Sequence, residues 1–272
     1  MTSVGRPIPT LRVIRRTVEC EIAYTVSRLR VLERIPGNPV GIAIRHLDGG
    51  AVALMARHLP VTHFNSVVGL RAGHEQHIEG IAVWYRSHGV KPQFDTVPGF
   101  YDPALGRELA RLGYYQSGFH AAFVCDPHIA PPPLPGGITV ERVDTSAAME
   151  DFLDAYIAGR AVKDGAGFKA NVRPWLNEPG WHLYLGRVDG RPAAAAILFV
   201  HDRVGYCADA TTDPAYHGRG LQTALLARRI ADGRDAGVDF ACSAAEFLSQ
   251  SHRNMERAGF RIQFVRALWT EL

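Results

Sequence analysis

Ala208-Asp209-Ala210-Thr211-Thr212-Asp213-Pro214-Ala215-Tyr216-His217-Gly218-Arg219-Gly220-Leu221-Gln222-Thr223-Ala224-Leu225-Leu226 is the stretch on which the reading of this chain turns. A strand-like run ends at Asp213-Pro214, and a short loop carries Gly218 and Gly220. A helix-like run follows, with Leu221, Leu225, Leu226 and Ile230 at amphipathic spacing. Strand, glycine loop and helix N-terminus together make a phosphate site. Glycine lets the backbone approach an anion closely, the first-turn N–H groups have no partner inside the helix, and the helix dipole favours negative charge. The stretch therefore predicts a nucleotide or another pyrophosphate-bearing cofactor. It lacks the Gly-Lys-Ser/Thr ending of a triphosphate loop. It also lacks Gly-x-Gly-x-x-Gly, and no N-terminal strand–helix–strand unit frames it, which argues against a dinucleotide fold.

Elements can be read outward from the loop. Ile138–Val143 alternates as an opening strand should, and Ala147–Gly159 is helical with Met149, Phe152, Leu153 and Tyr156 on one face. A second helical piece covers about Phe168–Leu176 despite Pro174. Three strand-like runs follow: Trp181–Val188, Pro192–His201 and Val204–Thr212. Asp189-Gly190-Arg191 and Asp202-Arg203 are the hairpin turns between them. After the loop helix, which ends near Gly237, come a strand at Val238–Ser243, a helix at Phe247–Ala258 stopped by Gly259, and a last strand at Arg261–Thr270. The order is β α α β β β α β α β.

His217-Gly218-Arg219-Gly220-Leu221-Gln222 resembles the acetyl-CoA loop of the GNAT superfamily of N-acyltransferases, Gln/Arg-x-x-Gly-x-Gly/Ala, which opens the helix after the family's fourth strand. Two positions depart: His217 replaces the first Gln/Arg, and Gln222 replaces the last small residue. The element order is that of the GNAT fold, and Arg257-x-Gly259-Phe260 resembles the family's closing Tyr-x-x-x-Gly-Phe. The resemblance covers Gly137 to Leu272. It implies a mixed α/β fold, an α+β mixed sheet in which the fourth and fifth strands splay apart to form a slot for cofactor and acceptor.

The chain has 272 residues, enough for one large domain or two moderate ones. The run Ala130-Pro131-Pro132-Pro133-Leu134-Pro135-Gly136-Gly137 cannot continue a helix or a central strand and reads as a linker, 130–137. It separates an expected domain 1–129 from an expected domain 138–272. The halves echo each other. Phe94-Asp95-Thr96-Val97 and Arg111-Leu112-Gly113-Tyr114 recur, at one offset, as Phe240-Ala241-Cys242-Ser243 and Arg257-Ala258-Gly259-Phe260. This predicts two GNAT-like domains in tandem. In the first, Val67–Glu75 has no Gly-x-Gly, and Glu75 puts a carboxylate at the helix start, where it would oppose an anion. The first domain thus reads as a degenerate copy without cofactor.

Net charge is +3 with no dense basic block, which gives nucleic-acid binding little support. No apolar run is long enough for a bilayer, and the basic N-terminus lacks the apolar segment of a signal peptide. Cys20, Cys125, Cys207 and Cys242 are too scattered for zinc and read as reduced thiols in a cytoplasmic protein. No metal is expected.

Acyl transfer to an amine needs a held thioester, a stabilised oxyanion, a base for the amine and an acid for the thiolate. The loop amides of His217, Gly218, Arg219, Gly220, Leu221, Gln222 and Thr223 are the expected pyrophosphate contacts. The resemblance assigns the outer edge of Ala210, Thr211 and Thr212 to the pantetheine. Ser251 and Asn254, on the last helix, are further candidate cofactor contacts. Asp209 is the first candidate base and Glu246 the second. The family's acid is often a Tyr four residues before the Gly; here that position is Met255, which has no proton to give.

The resemblance thus implies an acetyl-CoA-dependent N-acetyltransferase, moving acetyl directly to a primary amine of a small molecule or peptide. Acetyl-CoA is its expected co-substrate, and the protein would be a monomer or homodimer with no nucleic-acid or membrane partner. Met255 and the degenerate first half motivate an alternative, a non-catalytic acyl-CoA-binding regulatory or interaction protein.

Overall fold

The computed structural model describes residues 9–59, 61–130, 136–160, 162 and 165–272. Residues 131–135 of the expected linker lie outside the described residues. The chain divides into two compact units. One comprises Pro9–Ala122 together with Gln263–Leu272, and the other comprises Phe123–Ile262.

The N-terminal unit begins with α1 (Leu11–Glu33), whose first turn is capped by Thr10 Oγ1 accepting from Val13 N–H. Strands β1 (Ile42–His46), β2 (Val52–Ala56) and β3 (Ser66–Val68) form an antiparallel meander. Helix α2 (Glu75–Ser87) crosses to β4 (Gln93–Thr96), which pairs parallel with β3. Helix α3 (Pro103–Arg111) starts on an Asp102 cap with Pro103 in its first turn, and β5 (Tyr114–Cys125) follows. Met55, Tyr85, Phe94, Leu105 and Leu109 lie in one buried cluster, and Leu29, Leu32, Ile42 and Leu54 in another.

The C-terminal unit contains β6 (Ile138–Val143), α4 (Ser146–Arg160), α5 (Gly165–Val172), β7 (Trp181–Val188), β8 (Arg191–His201), β9 (Val204–Thr212), α6 (Leu221–Asp235), β10 (Phe240–Glu246) and α7 (Gln250–Arg257). The last strand, β11 (Arg261–Glu271), leaves this unit after two residues. Within the unit, strand order is β10-β9-β8-β7-β6, antiparallel except for the parallel β9–β10 pair. Both hairpin turns adopt the left-handed backbone that two-residue connections require, at Asp189 and Gly190 and at Asp202 and Arg203. Phe152 and Tyr156 of α4, and Leu225 and Leu226 of α6, are buried with Leu185 and Ile197 of the sheet.

The structure moves four expected boundaries. The second unit starts at Phe123 rather than 138, and Gln263–Leu272 belongs to the first unit. There Ala267–Trp269 pairs antiparallel with Phe94–Thr96, and Phe264 is buried with Ile14 and Val18 of α1. That strand's partners are thus far away along the chain, where local pattern cannot find them. The last helix begins at Gln250 rather than Phe247, because Leu248 sits at φ 62 and Ser249 caps the helix by accepting from His252 N–H. The expected helix through Pro174 is α5 followed by a 3-10 turn at Arg173–Asn177, since a proline ring cannot sit inside an α-helix.

Asp95 and Arg266 are charged groups buried in the N-terminal unit. Asp95 accepts from Gln93 Nε2 at 2.9 Å and lies 3.5 Å from Arg266, which also pairs with Glu21. Burial pushes the Asp95 carboxyl up from 3.8 to about 6, with Arg266 opposing the shift. The folded state therefore keeps this proton to a higher pH than the unfolded chain does, so stability falls as pH rises from about 4 to about 6. Over that window the wild type is expected to lose ~2–3 kcal/mol relative to Asp95→Asn, from about 1.4 kcal/mol per pKa unit. Urea unfolding of both proteins across the window checks this, and parallel pH profiles would refute it.

Candidate active site

β9 and β10 stay in register only for Val204–Tyr206 against Phe240–Cys242. Beyond it, β9 runs on to Thr212 and β10 to Glu246, and among the described residues no further positions of these two strands are paired with each other. Ser243 Oγ still donates to Cys207 O at 2.7 Å, at the point where the strands part. The end of β9 thus presents one backbone edge without a strand beside it.

After β9, Asp213 accepts from Ala215 N–H and starts a 3-10 turn at Pro214–Tyr216. The chain then passes through Gly218 (φ 77) and Gly220 (φ 90, ψ 6) into α6. Gly220 is the N-cap and, having no side chain, supplies no capping group. Ala224 N–H is the donor that closes the first helical turn, on Gly220 O. The amides of Leu221, Gln222 and Thr223 therefore precede the helical ladder, at the positive end of the dipole.

The two departures from the family loop share one partner. His217 Nε2 lies 3.0 Å from Thr212 O, and a carbonyl only accepts, so Nε2 is the donor. Gln222 Nε2 donates to Thr212 Oγ1 at 2.8 Å. Both residues thereby tie the loop and the first turn of α6 to the end of β9.

These elements surround a cavity of about 680 Å³. Ala210, Thr211 and Thr212 line it from β9; His217, Gly218, Gly220, Leu221, Gln222 and Thr223 from the loop and α6; Ser251 and Asn254 from α7. Of the expected cofactor residues, Arg219 alone lies elsewhere. It lines an adjoining cavity of about 440 Å³ with Asp189, Arg191 and Tyr216, its guanidinium 5.6 Å above the Tyr216 ring.

Four lining residues escaped the sequence reading: Gly159, Tyr216, Gln250 and Arg257. Gln250 and Arg257 lie four residues before and three after Asn254, so helical spacing from Asn254 already implied them. Each donates to Asn254 Oδ1, at 2.9 and 3.2 Å. Gly159, near the end of α4, is where that helix approaches β9. A Cβ there would meet Thr211 Oγ1 far inside contact distance and the Thr212 carbonyl carbon at 3.0 Å.

Neither expected base lines the cavity. Asp209 sits at φ 43 and accepts from Arg160 Nη2 at 2.6 Å, so its carboxylate is engaged by α4. Glu246 is exposed at the end of β10. Met255 is buried, while the cavity side of α7 carries Gln250, Ser251, Asn254 and Arg257. Among the described residues, no carboxylate lines the cavity.

In the N-terminal unit the turn expected to be the loop's counterpart, before α2, closes on itself. Glu75 Oε2 accepts from Gly73 N–H at 2.8 Å, and His74 Nδ1 accepts from Arg71 N–H at 3.2 Å. The amides of Arg71 and Gly73 in that turn thus have internal acceptors.

A mixed sheet whose parallel pair parts beside a glycine-opened helix is the arrangement that the resemblance implied, and the comparisons agree on the fold. Residues 135–247 match the model of the acetyltransferase (GNAT) domain. Among solved structures, the chain is similar to a GCN5-related N-acetyltransferase from Kribbella flavida, with TM-score 0.65, 19% identity, and 93% of this chain and 95% of that one covered. It is similar to a tandem GNAT protein from the clavulanic acid biosynthesis pathway, with TM-score 0.61, 14% identity and 97% of each chain covered. A GCN5-related N-acetyltransferase from Sphaerobacter thermophilus gives TM-score 0.59, 17% identity, and 97% and 93% coverage. No curated protein matches the chain. The fold is that of the GNAT acetyltransferases. Among the described residues, no helix is long and apolar enough to cross a membrane.

Proposed function

We propose that the protein is an acetyl-CoA-dependent N-acetyltransferase acting in the cytoplasm on a primary amine of a small molecule or peptide. The observation that carries the reading is the cavity itself, where the uncapped N-terminus of α6 and the bared end of β9 line the same space. Leu221, Gln222 and Thr223 offer amides to a pyrophosphate, and Ala210 and Thr211 offer a strand edge to an extended amide-bearing arm. Acetyl-CoA would supply an activated acyl group: the amine nitrogen bonds to the carbonyl carbon, the C–S bond breaks, and the thiolate leaves, taking up a proton. Ser251 and Asn254 of α7 would contact the same co-substrate. The N-terminal unit, with Gly73 N–H held by Glu75, reads as a degenerate copy of the domain without cofactor.

A second reading has its own support. With no carboxylate lining the cavity among the described residues, Asp209 paired to Arg160 and Met255 buried, the chain would bind acyl-CoA without turning it over.

Calorimetric titration with acetyl-CoA, CoA and ATP tests the shared premise. Micromolar binding selective for the CoA species is expected; equal or absent binding of all three would overturn both readings. Turnover on a panel of primary amines then separates enzyme from binder.

A further inference from the structure

The ladder between β8 and β9 slips beside the cavity. Ile197 pairs with Ala208 and Ala195 with Thr211, so one residue of β8 stands against two of β9, Asp209 and Ala210. Such a bulge interrupts the ladder and bends its strand, and Asp209 takes the left-handed backbone that the bend needs. Everything that β9 offers the cavity, from Ala210 to Thr212, lies in or beyond this bulge.

Arg229, two turns along α6 from its N-terminus, is 1% exposed. Its Nε donates to Leu225 O of its own helix at 3.0 Å. Its Nη1 reaches one carbonyl from each strand, Ile197 O at 3.0 Å and Ala208 O at 3.2 Å. Among the described residues it makes no ion pair with a carboxylate. A buried cation without an anion is costly, and is tolerated only where hydrogen bonds satisfy it. A leucine or methionine would fill this face of α6 without that cost. What the guanidinium adds is a rigid fork of donors at the place where the strand ladder is interrupted.

We propose that Arg229 is a positioning residue for the cofactor cavity. By bonding Ile197 O and Ala208 O it fixes the bulge, and so sets Ala210–Thr212 at a defined distance from the N-terminus of its own helix. One side chain thereby couples the two arms of the site, the phosphate-facing amides and the strand edge. The inference rests on the acyl-CoA reading of this cavity, but its structural half can be measured without any ligand.

The test compares wild type, Arg229→Met, Arg229→Gln and Arg229→Lys. In the cofactor-free proteins, hydrogen exchange is read at Thr211 and at Asp213, whose N–H donates to Ala193 O. Arg229→Met is expected to speed exchange there about tenfold or more, with Val140 and Leu185 in the β6–β7 ladder unchanged. CoA affinity, read by calorimetry, falls about tenfold or more, because small misplacements in a pre-formed site are felt strongly. Arg229→Gln, neutral but still a donor, and Arg229→Lys, charged but without the fork, each recover part of both signals. A folded Arg229→Met with wild-type exchange and wild-type affinity would overturn the proposal. If the wild type binds no CoA, the functional reading fails while exchange still decides the role of Arg229. If no variant folds, the wild type decides by NMR. Slowly exchanging guanidinium protons, coupled through hydrogen bonds to the Ile197 and Ala208 carbonyls, are expected; fast-exchanging, uncoupled ones overturn it.

Discussion

Gly220→Val is expected to lower CoA affinity by about 100-fold while leaving the far-UV spectrum of the folded protein unchanged. Gly220 sits at φ 90, ψ 6, a region that glycine enters freely and that a β-branched residue enters at a cost of about 1–3 kcal/mol. A valine would relieve that strain by rotating to negative φ. The rotation turns the peptide planes on either side of residue 220, and with them the first amides of α6. Hydrogen bonds from amides to a charged group contribute about 1.5–3 kcal/mol each, so losing one or two accounts for the expected change. The loop is exposed or half-buried from Pro214 to Gly220, so global stability should fall by only about 1 kcal/mol. Calorimetry and urea unfolding on the same preparation separate the two effects. Unchanged affinity would sink the assignment of this loop to the pyrophosphate.

Gly159→Ala should invert the usual rule for helices. Alanine inside a helix is normally about 1 kcal/mol better than glycine. Here the added methyl meets Thr211 Oγ1 and the backbone of Thr212, so α4 must move away from β9. Overpacking of this kind costs about 1–3 kcal/mol, and the expected net result is destabilisation by ~2 kcal/mol with weakened CoA binding. Thr211→Ala removes the hydroxyl but not the Thr212 carbonyl carbon at 3.0 Å. The double variant Gly159→Ala/Thr211→Ala should therefore recover part of the loss and not all of it. A Gly159→Ala protein as stable as wild type would show that α4 is free to slide, and that the glycine is not what brings it close.

Much of the C-terminal unit was legible because its signals are local. Asp189-Gly190 and Asp202-Arg203 state their turn chemistry in two residues, and β6, β7 and β9 have the expected bounds. The strand–loop–helix at the cavity was equally plain, because glycine, proline and amphipathic spacing act within a few residues of each other. What escaped notice depends on partners far apart along the chain. Asp209 reads as a candidate base until Arg160, in another helix, is seen to hold it. His217 and Gln222 read as blemishes in a motif until both are found on Thr212. The basic N-terminal stretch hides α1, a 23-residue helix with Ile14, Val18 and Leu29 buried along it. Its arginines drew attention to charge, while the stripe between them carried the packing. The register of β11 on β4 lay furthest from view, since neither strand says which sheet will take it.

That last strand also has a consequence for biosynthesis. As the chain leaves the ribosome, Pro9–Ala122 emerges before Phe123–Ile262, but the unit it belongs to lacks Gln263–Leu272 until the whole of Phe123–Ile262 has been made. Phe123–Ile262 is contiguous and can close as soon as it is out. The half synthesised first is therefore completed last. Until then it presents β4 without the neighbour at Ala267–Trp269, and leaves Ile14 and Val18 of α1 without Phe264. A nascent chain stalled before residue 263 should thus hold a finished C-terminal fold behind an unfinished N-terminal one, the reverse of the order in which they were translated.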